Sequence, residues 1–144
     1  MKFFIASPWQ NVDLVKGLSV ALTTRGHETY SFLDNGANAV GGAPSVEEFE
    51  ENFLNSVLNW GNNPAIKEIF EFDMKALKEC DVVVLLEPSG RSSLAEAGIA
   101  YGMGKKIVLV GAVAHPTIIV YSICQDRYAG VDEFLASLGA MPTQ

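Results

Sequence analysis

Apolar positions along this 144-residue chain follow two rhythms. Short, uninterrupted apolar runs rich in β-branched side chains fall at Phe3–Ala6, Val82–Leu86 and Ile107–Val110, each bounded by turn formers or charges. Runs of that length and composition predict buried strands. Between them the apolar residues recur at helical spacing. Val12, Leu14, Val15, Leu18 and Leu22 predict a helix with Asn11 as its cap and Gly26 closing it. The alternating stretch His27–Phe32 (HETYSF) predicts a second strand. Ser45 and Glu48 form a capping box that opens a helix turning Phe49, Phe53, Val57 and Trp60 inward, and Gly61-Asn62-Asn63-Pro64 stops it.

From about Ala65 to Lys78 the residues Ile66, Ile69, Phe70, Met74 and Leu77 share one side of a further helix, with Asp73 among them. Pro116–Cys124 (PTIIVYSIC) fits a helix or a strand equally. Asp126–Ala129 predicts a short edge strand, and Val131–Leu138 a closing helix ended by Gly139. Asp34–Pro44 (DNGANAVGGAP) has no periodicity and is dense in breakers, which predicts a mobile loop able to cover a pocket.

The stretch Ser89–Lys106 (SGRSSLAEAGIAYGMGKK) lies between two of the apolar runs. Strand, Ser/Gly turn, helix and strand make a βαβ unit, whose turn falls at the carboxyl edge of the sheet, where open α/β folds hold their ligands. Glu96 is the one acid between Glu87 and the end of that helix. The spacing puts it in the first helical turn, where the dipole and free amides hold a carboxylate ionised. Ser93 and Glu96 also spell Ser-x-x-Glu, a capping box in which Glu96 bonds the cap's amide. Spacing alone leaves both readings open. Asp73 is likewise either a second acid for the same cleft or a solvated residue on a helix face. Two carboxylates in one cleft permit an ionised one to attack a glycosidic carbon while a protonated one assists the leaving group.

Composition narrows the alternatives. The length and a hydrophobic fraction of 49% predict one domain, residues 1–144, with a core of its own. A formal net charge of -7 disfavours a polymeric nucleic acid as partner. Cys80 and Cys124 fit apolar core positions better than a disulfide framework. His27 and His115 lack ligand-spaced companions, so no metal site is expected, and neither supports Ser92 or Ser93 as a nucleophile. The glycines of Gly98–Lys105 are misplaced for a phosphate-cradling Walker loop, and Gly102-Met103-Gly104 closes a helix instead of opening one. With no signal peptide pattern and no membrane-length apolar run, the expected location is the cytoplasm, without membrane contact.

Three segments carry a family resemblance: Phe3–Trp9 (FFIASPW), Asp73–Val84 (DMKALKECDVVV) and Leu94–Lys106 (LAEAGIAYGMGKK). Together they resemble the nucleoside 2-deoxyribosyltransferases and the related deoxynucleoside 5'-monophosphate N-glycosidases. The resemblance implies an α/β, flavodoxin-like (Rossmann-like) three-layer sandwich with a mostly parallel five-stranded sheet. It also implies a homo-oligomer whose sites borrow residues from a neighbouring subunit, a nucleotide or nucleoside substrate, and no cofactor. On that model Glu96 matches the nucleophile that forms a glycosyl-enzyme, and Asp73 the acid that helps protonate the leaving base. Ser89, Gly90, Arg91, Ser92 and Ser93 match the turn that meets a 5' phosphate, and Ser7 and Trp9 join them as substrate-binding positions. The family's first-strand tyrosine, which bonds the nucleophile, matches Phe3 or Phe4 here. That difference favours a second reading, a nucleotide-binding or sensor module without turnover, whereas retention of both carboxylates favours the enzyme.

Overall fold

The computed structural model describes residues 1–36, 45–58, 63–113 and 119–139. Most of the expected loop over Asp34–Pro44 lies outside the described residues, as do His115 and the side chains of Phe49, Val57 and Trp60.

In chain order the elements are β1 (Lys2–Ala6), a 3-10 turn (Trp9–Asn11), α1 (Val12–Thr24), β2 (Glu28–Tyr30), α2 (Val46–Leu58) and α3 (Pro64–Glu79). They continue with β3 (Val82–Leu86), α4 (Arg91–Gly102), β4 (Lys106–Val110), a 3-10 helix (Ile119–Ile123), β5 (Asp126–Tyr128) and α5 (Val131–Ser137). The five strands form one sheet in the order β2-β1-β3-β4-β5. Every pairing is parallel, with Phe3 opposite Val82 and Val84 opposite Val108.

Successive side chains of a strand leave by opposite faces, so a strand covered on both sides is apolar throughout. β3 shows this directly: Val83 and Leu85 join Phe4, Leu77, Ala97, Ala100, Ile107 and Leu109 in one cluster. Val82, Val84 and Leu86 join Phe3, Ile5, Val15, Leu18, Leu22, Val108 and Phe134 in the other. The first cluster lies under α3 and α4 and the second under α1 and α5, which makes three layers. Cys80 and Cys124 are both buried and unpaired by any disulfide.

Two boundaries depart from the sequence reading, and one open assignment is resolved. β2 covers only Glu28–Tyr30 of the expected His27–Phe32, and the His27 ring nitrogen Nδ1 lies 3.1 Å from the terminal ammonium. Asn63-Pro64, read as a stop, instead starts α3: the Asn63 side chain accepts from the Ala65 amide at 3.1 Å, and Pro64 takes the first helical position. The undecided segment before Cys124 is a 3-10 helix over Ile119–Ile123. The chain turns from β1 to β2 on one side and reaches β3 on the other, so the sheet has its switch point between β1 and β3. Their carboxyl ends are where a crevice opens in this topology.

Candidate active site

The turns after β1 and β3 are tied together before any ligand is considered. The Ser7 hydroxyl donates to the Leu86 carbonyl at 3.0 Å. Asn11 Nδ2 donates both to Ser7 Oγ and to the Pro88 carbonyl, each at 2.8 Å. These bonds hold the two turns at one height above the sheet. Over them opens a cavity of about 560 Å³, a size that suits a small ligand.

One wall of the cavity is aromatic. Trp9 and Phe32 lie with ring centroids 4.6 Å apart at 45°, and Phe53 of α2 and Ile69 of α3 extend the wall. The start of α4 lines the cavity too, through Gly90, Arg91, Ser92 and Ser93, with Arg91 and Ser92 exposed. Asp73 of α3, Glu96 of α4 and Glu50 of α2 supply carboxyl groups.

α4 begins earlier than the sequence suggested, and the consequence falls on Glu96. The Gly90 amide donates to Ser93 Oγ at 2.7 Å, and the Ser93 hydroxyl donates back to the Gly90 carbonyl at 2.9 Å. The helix therefore starts at Arg91 with Gly90 as its cap residue, and Glu96 is in the second turn. The capping-box reading of Glu96 is overturned, because the Ser93 amide it would bond already lies inside the helix. The expectation of an ionised carboxylate fails with it. The dipole's effect fades beyond the first turn, while burial first, and then the nearby charge of Asp73, push the Glu96 carboxyl up to about 8. Among the described residues no donor bonds it.

Asp73 is held differently. The Tyr30 hydroxyl donates to Asp73 Oδ1 at 2.8 Å, and Asn35 Nδ2 donates to the same oxygen at 3.1 Å. Burial raises the Asp73 carboxyl above its ordinary value, and the bonds from Asn35 and Tyr30 oppose that rise. The Tyr30 phenol is itself pushed well up by burial and by the Asp73 charge, so it stays protonated and acts as a donor.

Of the residues singled out in the sequence, Ser7, Trp9, Asp73, Gly90, Arg91, Ser92, Ser93 and Glu96 line this one cavity. Ser89 does not. Its hydroxyl pairs with that of Tyr121 at 3.0 Å in the core, and its amide donates to the Glu87 carboxylate at 2.8 Å. Ser93 is almost fully buried, its hydroxyl engaged in the cap. Tyr30, Asn35, Phe32, Phe53 and Glu50 were not anticipated. The partners Tyr30 and Asp73 are 43 residues apart, and no local pattern announces such a pair. Among the described residues no cluster of His, Cys, Asp and Glu could hold a metal ion, and no helix is long and apolar enough to cross a membrane.

No protein-family model and no curated protein sequence matches this chain. Solved structures do match in shape. A 2-deoxyribosyltransferase of Bacillus psychrosaccharolyticus superposes with a TM-score of 0.66 at 18% identity, covering 100% of both chains. A CMP N-glycosidase of Clostridium botulinum gives a TM-score of 0.57 at 19% identity, over 97% of this chain and 100% of the other. A conserved protein of Enterococcus faecalis gives 0.59 at 14% identity, over 94% of this chain and 95% of the other. At such identities the likeness is one of fold. The five-stranded parallel sheet with helices on both faces is the architecture shared with the deoxyribosyltransferase.

Proposed function

We propose that this chain breaks the N-glycosidic bond of a nucleotide or nucleoside, with Glu96 as the nucleophile and Asp73 as the group that passes a proton to the leaving base. The observation that carries this reading is the convergence of two half-buried carboxyl groups, from α3 and α4, on one cavity at the switch point of the sheet. The cavity walls suit the two ends of such a substrate. Trp9 and Phe32 offer apolar rings for a base to stack on. Arg91, the Ser92 hydroxyl and the free amides at the start of α4 offer a cation and donors for a phosphate. Ser89 takes no part in this, since its hydroxyl is committed to Tyr121.

The chemistry balances with a single proton on the carboxyl pair. A Glu96 oxygen attacks the anomeric carbon, the carbon–nitrogen bond breaks, and the electron pair leaves with the base. The proton given up by Glu96 reaches the base nitrogen by way of Asp73. The glycosyl ester on Glu96 is then opened by water, or by a second base, and Glu96 recovers its proton. On the same reading residues 1–144 work as one domain in a homo-oligomer, in the cytoplasm and without a cofactor.

The test is free-base release, followed by chromatography, from a panel of ribo- and deoxyribonucleosides and their 5'-monophosphates. Wild type releases base and Glu96→Ala loses at least about 1,000-fold in kcat. Release that persists in Glu96→Ala overturns the assignment of the nucleophile. A second reading, a nucleotide-binding module without turnover, is favoured by one observation: Glu96 has no donor among the described residues, and of the two first-strand positions that match the family's tyrosine only Phe4 lines the cavity, with no hydroxyl to offer. It predicts no release from any substrate, but a rise in Tm when a nucleotide of the panel binds the folded state.

A further inference from the structure

Asp73 and Glu96, the two half-buried acids of the cavity, are not equivalent, and the difference lies in what touches them. Asp73 Oδ1 receives two hydrogen bonds from neutral donors, the Tyr30 hydroxyl at 2.8 Å and Asn35 Nδ2 at 3.1 Å. Glu96 faces the same cavity and receives none from the described residues. Donors to a carboxylate oxygen stabilise the anion, and two like charges in one cleft oppose each other's ionisation, so the pair keeps one proton over a wide pH range. That proton goes to the carboxyl with fewer donors.

We propose that Tyr30 and Asn35 are positioning residues that act through Asp73, making it the anionic member of the pair so that the single proton rests on Glu96 before substrate arrives. Tyr30 ends β2 and Asn35 lies in the turn that follows, so both donors come from one short segment at the sheet edge. Among the described residues the other charged groups in reach are Asp34 in that turn, Glu50 on α2 and Arg91 at the start of α4. β1, also packed against α3, presents the apolar Phe4 to the cavity. None of these donates to Glu96.

The inference deepens the glycosidic reading and rests on it only for its consequence in catalysis. The proton stored on Glu96 is the one the base must receive, and delivering it leaves Glu96 as the carboxylate that attacks. A Tyr30 hydroxyl lost from this arrangement raises the proton affinity of Asp73. In a bell-shaped pH profile of kcat/KM the acidic limb then moves to higher pH, while the alkaline limb, set by Glu96 beside an already ionised Asp73, stays in place. A ring that served only to pack would change the height of the profile and neither limb.

The location of the proton is read directly in the free protein, whether or not it turns over substrate. Protein carrying 13C at the side-chain carboxyls of Asp and Glu is titrated by NMR, the two resonances being assigned with Asp73→Asn and Glu96→Gln. In wild type Asp73 ionises first. Tyr30→Phe raises its midpoint by about one pH unit, the size expected for one lost bond to an anion. Asn35→Ala moves it in the same direction and stands in if Tyr30→Phe does not fold. The proposal is overturned if Glu96 ionises first in wild type, or if the Asp73 midpoint moves by less than about 0.2 unit in the folded variants. An inactive protein with the expected titration would refute the glycosidic reading and leave this inference standing.

Discussion

Glu96 ties the stability of the fold to pH with a definite sign. Its carboxyl rises from 4.5 in a free chain to about 8 in the cavity, through burial and then the Asp73 charge. Between those values the folded state binds more protons than the unfolded one, so the protection is complete below about 4.5 and is lost as pH rises through about 8. Asp73, also raised, adds to the same trend. Glu96→Gln, uncharged at every pH, removes the larger part of it. From pH 5 to pH 9 wild type should lose on the order of 2 kcal/mol more than Glu96→Gln, a relative drop of roughly 4–8 °C in Tm followed by circular dichroism. Parallel melting curves for the two proteins would show that Glu96 is not buried as a neutral acid. That Glu96 and Asp73 deserve notice was legible from residue type and place in the chain. Their protonation was not, because it depends on Tyr30, Asn35 and the depth of the cavity, none of which is local in sequence.

At the scale of elements the cavity depends on how two turns are joined. Asn11, which the sequence suggested only as a helix cap, makes no side-chain cap bond and instead spans Ser7 and Pro88. Asn11→Ala removes two hydrogen bonds from a partly buried site and should cost about 1–2 kcal/mol, seen as a lower urea midpoint with unchanged slope. An unaltered midpoint would mean that the turns hold their height without it. The start of α4 shows why helix boundaries are hard to read from sequence. Gly90 has no side chain with which to signal a cap, and the bond that closes the turn comes from Ser93, three residues on. The Ser-x-x-Glu pattern was visible; the bond that pre-empted it was backbone to side chain and could be placed only in three dimensions. At Asn63-Pro64 the breaker pattern was noticed, yet the same two residues that end one periodic run suit the first positions of the next helix.

Over the whole molecule the acid excess governs partners. With ten Lys and Arg against seventeen Asp and Glu, a polyphosphate backbone would meet net repulsion, and the phosphate site proposed at Arg91 is expected to take one phosphate and not a chain of them. A fluorescent DNA or RNA duplex should bind no tighter than about 10⁻⁴ M at physiological salt, as measured by anisotropy. Tighter binding that weakens with added salt would show a basic surface that the charge count conceals.

The pattern of apolar residues along the chain was enough for an α/β class of fold, while the three-layer arrangement followed from the family resemblance. Continuous apolar runs at β1, β3 and β4 require cover on both faces, and helical periodicity between them supplies that cover. The tertiary structure decided the rest of the site. It brought α2, the turn after β2 and the start of α4 around one cavity, paired Tyr30 with Asp73, turned Ser89 into the core and moved Glu96 out of the first helical turn. The physical reason is range. Hydrophobic periodicity is a property of neighbours in the chain, whereas desolvation and hydrogen bonding at a carboxyl are set by groups that only the closed sheet makes neighbours.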